Sequence, residues 1–223
     1  MNKEIIDGEK KYTRKKLIID TAQRMYYRDG FDETSFDAIA KECNITKPLI
    51  TYHFGTKTQL GGKIFGKYSK EQANIFFEKA FALDTEANYI YIYFAYSLMC
   101  VKYYLADKNA FRFYTQYFSQ SFTDITPGIE DFYKSAGKLL KTNDKNNILH
   151  MQYIGAQYAA RGLIYHYVNG EIQCSWEDFA YYYLSFFNIH RSENRAALDN
   201  AIKESFKVLD AVNITLKPDF VWE

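Results

Sequence analysis

Between Cys43 and Lys67 the chain carries four lysines and no carboxylate. Within that stretch Lys47, Thr51, Tyr52, His53 and Lys57 bring together two ammonium groups, a hydroxyl, a phenol and an imidazole. Such donors suit phosphate oxygens and the edges of bases, so the chemistry they favour is recognition of a polyanion rather than bond making. Residues for turnover are not arranged to match. The four histidines (His53, His150, His166, His190) form no Glu-x-x-His or His-x-x-x-His pair, and no nucleophile motif or phosphate loop occurs. Three widely separated cysteines (Cys43, Cys100, Cys174) give no Cys-x-x-Cys spacing. No catalytic residue, metal site or cofactor is expected, and the protein is not expected to be an enzyme.

Short helices must position these groups. From Lys15 to Arg28, apolar Ile18, Ala22, Met25 and Tyr26 form the stripe of a helix with one buried face, which Gly30 ends. Thr34 is expected to cap the next helix, with Asp37 in its first turn and Phe36, Ile39, Ala40 and Cys43 turned inward. Asn44 suits the left-handed conformation of a tight turn. Thr46 is the next expected cap and places Lys47 and Pro48 in a first helical turn, where a missing N–H costs little. On this third helix Ile50 and Phe54 face inward, while Lys47, Pro48, Thr51 and Tyr52 face out. Gly55 ends it, and Thr56 with Gln59 makes a capping box for a fourth helix bearing Lys57.

Thr-Ser-Phe-Asp-Ala-Ile-Ala-Lys-Glu-Cys-Asn-Ile-Thr-Lys-Pro-Leu-Ile-Thr-Tyr-His-Phe-Gly-Thr-Lys, from Thr34 to Lys57 and preceded by Ile18 to Phe31, resembles the DNA-binding domain of the TetR/AcrR repressor family. The resemblance implies a helix-turn-helix domain over residues 10–57 and a helical ligand-binding and dimerisation domain over 58–223. It further implies that Thr34, Ser35, Lys47, Tyr52, His53 and Lys57 contact the DNA backbone, with Pro48, Leu49 and Thr51 at or near base edges. Leu49 is open to a second reading, in which it packs instead of touching a thymine methyl. The family often has Gly or Ala at Pro48, Thr or Ser at Leu49 and Tyr or Phe at Thr51. The base-reading surface is therefore altered.

Bulk composition fits this division. The chain has 223 residues, 28 basic against 27 acidic, yet residues 1–67 hold 13 basic and 9 acidic side chains, leaving the remainder net acidic. A basic end on a near-neutral body points to a polyanion-binding part. With 3 Pro, 11 Gly and apolar residues recurring at three and four, the expected fold is all-α with nine or ten helices. Breaks are expected at Gly30, Asn44, Gly55, Asp84, Asp107, Pro127-Gly128, Asn143 to Asn147, Asn169-Gly170 and Arg191 to Asn194. The run Tyr89 to Val101 has strand-like residues but no polar alternation, which favours a buried helix. A charged N-terminus and no membrane-length apolar run lead to the expectation of a cytoplasmic protein without a membrane partner.

In the body, Gly155, Ala159 and Gly162 form a strip without bulk, and Phe179, Tyr183 and Phe186 follow at helical spacing. These residues are the expected homodimer interface, which in the family is a four-helix bundle. By the family's pattern the aromatic-rich helices between Tyr68 and Tyr133 enclose a ligand pocket, for which Tyr93, Tyr96, Tyr103, Phe113 and Tyr117 are candidates by spacing. The expected partners are thus an operator duplex, a second copy of the chain and a small molecule. A DNA-bound structural or partner-recruiting protein of the same fold, without an inducer, is the alternative. Gly61, Gly62 and Gly66 read either as a hinge or as close packing.

Overall fold

The computed structural model describes residues 3–83, 89–121, 148–186 and 195–222. Among the described residues there are nine α-helices: α1 (Lys3–Arg28), α2 (Phe36–Glu42), α3 (Lys47–Phe54), α4 (Lys57–Leu83), α5 (Tyr89–Ala106), α6 (Lys108–Gln120), α7 (Ile148–Val168), α8 (Trp176–Ser185) and α9 (Arg195–Ala211). Two short strands, β1 (Leu216–Lys217) and β2 (Val221–Trp222), pair around a 3-10 turn at Pro218–Phe220. The fold is all-α, a helix-turn-helix domain followed by a larger helical region, as the apolar spacing predicts.

Punctuation read from the sequence has a backbone cause. Gly30, Asn44, Gly55 and Gly170 all take positive φ, at 103°, 53°, 70° and 75°. Asp107 caps α6, its carboxylate accepting from the N–H groups of Asn109 and Ala110. The segment from Tyr89 is helical, as its lack of polar alternation predicts. The breaks expected at Asp84, Pro127-Gly128, Asn143 to Asn147 and Arg191 to Asn194 lie outside the described residues. Two expectations are corrected. α1 begins at Lys3 rather than Lys15, because the intervening lysines and glutamates propagate a helix at little cost. Ser35, not Thr34, caps α2, since it is the Ser35 side chain that accepts from the Ala38 N–H at 3.1 Å.

The chain divides into two compact units. One, called the head here, comprises Met1–Tyr68, Asp107–Asp124 and Leu216–Val221; the other, the body, comprises Ser69–Ala106, Ile125–Thr215 and Trp222–Glu223. The head is built on an aromatic floor. Tyr26, Phe31, Tyr68, Phe113 and Phe220 are all at most 1% exposed. Their rings meet in stacked and edge-on pairs, Tyr26 with Phe113 at 5.7 Å and Tyr68 with Phe220 at 4.7 Å. Such pairs add about 0.5 to 1.5 kcal/mol each beyond their burial. In the body, α5 packs against α7, α8 and α9, with Ile92, Ala95, Leu98 and Val101 fully buried along it.

Candidate nucleic-acid interface

α2 and α3 are joined by a turn that only a few residue types allow. Asn44 at φ 53° directs the Ile45 N–H to the carbonyl of Ala40 at 2.9 Å, reversing the chain within three residues. Ile39, Ala40, Ile50 and Phe54 then bury the inner faces. Pro48 sits within the first turn of α3, where it leaves no intrahelical hydrogen bond unmade. Thr46 occupies the N-cap backbone position without a side-chain capping bond. α4 starts with the expected capping box: the Thr56 N–H donates to Gln59 Oε1 at 2.8 Å, and the Gln59 N–H to Thr56 Oγ1 at 3.2 Å.

Of the nine residues named for DNA contact, Ser35, Lys47, Pro48, Thr51 and Tyr52 are exposed on this pair of helices and their flanks, Tyr52 by 71%. Leu49, His53 and Lys57 are half-buried. Thr34 stands apart at 1% exposed, its hydroxyl donating to the Gly30 carbonyl at 2.7 Å. Its observed work is to close the turn between α1 and α2. Tyr52 and His53 lie ring to ring at 5.1 Å, edge-on.

The two lysines differ in how they are held. Lys47 forms an ion pair with Asp37 of α2 at 2.8 Å, both side chains being more than half exposed. Lys57 donates to the Asp32 carbonyl at 3.1 Å and stands 4.6 Å over the Phe31 ring. Burial lowers its pKa below the ordinary lysine value, partly offset by Asp32 and Glu33. The sequence reading missed Asp37 as a partner of Lys47. Signals for it existed in Asp37's place in the first turn of α2 and Lys47's in the first turn of α3.

It also missed the contacts that α6 makes with this region, and here no local signal was available. Arg112 donates to the carbonyls of Tyr27 and Arg28 at 3.0 and 2.7 Å, satisfying the otherwise orphaned C-terminal end of α1. Gln116 Oε1 accepts from the Phe31 and Asp32 N–H groups at 2.7 and 3.3 Å. The Tyr27 hydroxyl donates to Asp107 at 2.8 Å, and its pKa is pushed up to about 12 by burial and by that carboxylate. Side chains more than 80 residues away in sequence thus fix the loop that leads into α2 and α3.

The ligand candidates do not fall in one unit. Phe113 and Tyr117 belong to the head, where both stack against each other and pack on Phe31. Tyr93, Tyr96 and Tyr103 belong to the body. Beside Tyr96, Gln72 is 3% exposed, its Oε1 accepting from the Tyr96 hydroxyl at 3.3 Å and from Cys100 Sγ at 3.6 Å, whereas Tyr103 lies against Tyr104 and Trp222. Its buried Nε2 has no acceptor among the described residues. Of the interface candidates, Gly155 is exposed and Ala159 and Gly162 are half-buried. A side-chain carbon built on either glycine meets nothing within 4 Å. Phe186 is 51% exposed, whereas Phe179 and Tyr183 are 3% and 4% exposed within the single chain. Phe179 stacks on Tyr167 at 3.8 Å and on Tyr183 at 5.5 Å, so both rings are already covered.

A short α2, a tight turn and an exposed α3 on a basic flank make a helix-turn-helix, an arrangement that can place its second helix in a major groove. Residues 18–61 match the family described as bacterial regulatory proteins, tetR family. That match spans 44 of the chain's 223 residues, so it is the N-terminal segment that is similar to this family. No match to a curated protein was found. Among solved structures, a TetR-like transcriptional regulator from Rhodococcus sp. RHA1 is similar at 18% identity, covering 88% of this chain and 96% of that one, with a TM-score of 0.43. A transcriptional regulator of the TerR/AcrR family from Aquifex aeolicus VF5 is similar at 16% identity, over 88% of this chain and 99% of its own, with a TM-score of 0.35. Among the described residues no helix is long and apolar enough to cross a membrane.

Proposed function

We propose that the chain is a repressor that holds an operator duplex as a homodimer and leaves it when a small apolar or aromatic molecule enters the body. Residues 10–57 read DNA and residues 58–223 pair the subunits and bind the ligand. The observation that carries the DNA part is the outward face of α3, where Lys47, Pro48, Thr51 and Tyr52 are exposed while Ile50 and Phe54 are buried beneath them. Ser35, His53 and Lys57 flank that face for phosphate contact, and Leu49 lies at its edge.

Pairing is supported by α7, where Met151, Gly155, Tyr158, Gly162 and Tyr165 recur at four and three residues, with Met151 59% and Tyr165 44% exposed. Tyr182 and Phe186 on and just after α8 add exposed aromatic surface at 64% and 51%. A two-fold dimer would present two copies of α3 to half-sites one helical turn apart. For the ligand, the unmet Gln72 amide NH2 offers hydrogen-bond donors among aromatic rings, with Phe76 and Phe77 at 5.5 and 5.3 Å from Tyr96. Burial pushes the Cys100 thiol up to about 12 and raises the Tyr96 phenol. Such surroundings favour an uncharged aromatic molecule with a single acceptor.

Selection of duplexes from a random-sequence library tests the reading. The expected product is a palindromic site bound by a dimer in light scattering. Acetophenone should raise the melting temperature and release that site, while ethylbenzene, lacking the acceptor, should do so less. Binding of the site without response to any neutral aromatic probe would instead favour a regulator that works without an inducer.

A further inference from the structure

The C-terminal segment Leu216–Val221 follows α9 of the body by four residues, yet it is part of the head. Phe220 is 0% exposed and its ring is enclosed by three helices of that unit. It lies edge-on to Tyr27 of α1 at 5.1 Å, flat against Tyr68 of α4 at 4.7 Å and tilted on Phe113 of α6 at 5.1 Å. One residue earlier, the Asp219 carbonyl accepts from Gln23 Nε2 of α1 at 2.6 Å, while Gln23 Oε1 accepts from Lys67 of α4 at 3.2 Å. Lys67 also pairs with Asp20 of α1 at 3.7 Å.

The backbone there is unusual as well. Asp219 and Phe220 both take positive φ, at 63° and 61°. For a bulky residue such as Phe the left-handed region is occupied only where the surroundings over-determine it. Here the determining contacts are the aromatic socket and the Gln23 hydrogen bond.

We propose that Asp219 and Phe220 are positioning residues for DNA recognition, acting as a clasp that fixes α1 and, through the turn that α1 leads into, the α2–α3 pair. This rests on the reading of α3 as the DNA-reading helix. The clasp gives α9, which packs on α5 in the body, a covalent link to the head separate from α4. A change in α9 can therefore reach the reading helices from the end of the chain.

The test uses the full chain and a duplex enriched by the wild-type protein from a random-sequence library. Phe220→Ala should keep its helical circular dichroism, lose tenfold or more in affinity for the enriched duplex and bind a random duplex nearly as before. Hydrogen exchange should quicken in α1 and α6. Unchanged affinity and unchanged exchange in folded Phe220→Ala would overturn the proposal. Should that variant not fold, Gln23→Met decides: a threefold or greater loss supports the clasp and wild-type affinity overturns it. A wild-type protein that enriches no duplex would count against the DNA reading instead, and the exchange of α1 would still report on the clasp.

Discussion

The face of the head proposed to meet DNA and the floor beneath it are built in opposite ways. The α2–α3 pair occupies one contiguous stretch from Ser35 to Phe54, is largely polar on its outer face and buries Ile39, Ile50 and Phe54 on its inner one. The floor collects Tyr26 and Phe31, Phe65 and Tyr68, Phe113 and Tyr117, and Phe220 from four separated parts of the chain, all of them buried. The surface therefore carries information, and the floor carries stability. A change at one should leave the other's observable nearly untouched, and the variants below are chosen to break that separation.

The largest effect is expected at the floor. Phe113 is fully buried and its ring meets Tyr26, Phe31, Tyr68, Tyr117 and Phe220. Phe113→Ala should destabilise the chain by about 3 to 5 kcal/mol, a large share of an ordinary domain's stability. Denaturant unfolding measures it. Tyr52→Ala, by contrast, removes a ring that is 71% exposed and should change stability by less than about 0.5 kcal/mol while weakening DNA binding. Equal stability losses in the two variants would erase the distinction between surface and floor.

Gly61 comes next, and it separates the two readings of the glycines that open α4. A side-chain carbon built there would lie 2.7 Å from Phe31 Cε2 and 3.0 Å from Tyr117 Cδ2. Both rings are buried and cannot give way cheaply. Replacing Gly by Ala inside a helix gains about 1 kcal/mol, while overpacking costs about 1 to 3 kcal/mol, so Gly61→Ala should lower the melting temperature. A raised melting temperature would restore a hinge at this position. Gly61 is thus a close-packing glycine whose partners come from the floor.

What could be read in advance follows the same division. α2, its turn and α3 were legible because each constraint acts within a few residues: Asn44 for positive φ, Pro48 for the first turn, Ile50 with Phe54 for one face. The capping box at Thr56 and Gln59 was legible for the same reason. Thr34 and Ser35 are neighbouring hydroxyl residues, both able to cap by type, and only the burial of Thr34 against Gly30 decides which one does. Arg112, Gln116 and Phe220 were not legible. Their work depends on which distant backbone groups they reach, and neither residue type nor period records that. Phe179 and Tyr183 have the spacing of a partner-facing stripe, but helical spacing marks a buried face equally well whether the cover is another chain or Tyr167 of the same one.

A middle-sized effect concerns the two lysines. Lys57→Ala should flatten the slope of log affinity against log salt by about 0.9, the value for one phosphate contact. Thr51→Ala should instead shift base preference at one or two positions and leave that slope alone. If Lys57→Ala changed base preference with no change in slope, the assignment of Lys57 to the backbone would fail.

The smallest effect tests whether Lys47 counts as a full contact. Its ammonium is 2.8 Å from Asp37, with side-chain exposures of 53% and 69%, so the pair contributes at most about 1 kcal/mol to folding. Its influence on DNA is larger in sign than in size. An ammonium already neighbouring a carboxylate gains less from a phosphate, because that phosphate must also approach the Asp37 charge. Asp37→Asn removes the repulsion and leaves Lys47 in place, so it should tighten binding severalfold at low salt and steepen the salt slope by up to about 0.9. Melting temperature should stay within a degree or two, since one exposed pair is worth about 0 to 1 kcal/mol. Lys47→Ala should then cost more in the Asp37→Asn background than in the wild type, a coupling that a double-mutant cycle reads directly. If Asp37→Asn weakens binding without altering the slope, Asp37 serves to orient Lys47 toward the groove, and the reading surface depends on α2 for geometry rather than being restrained by its charge.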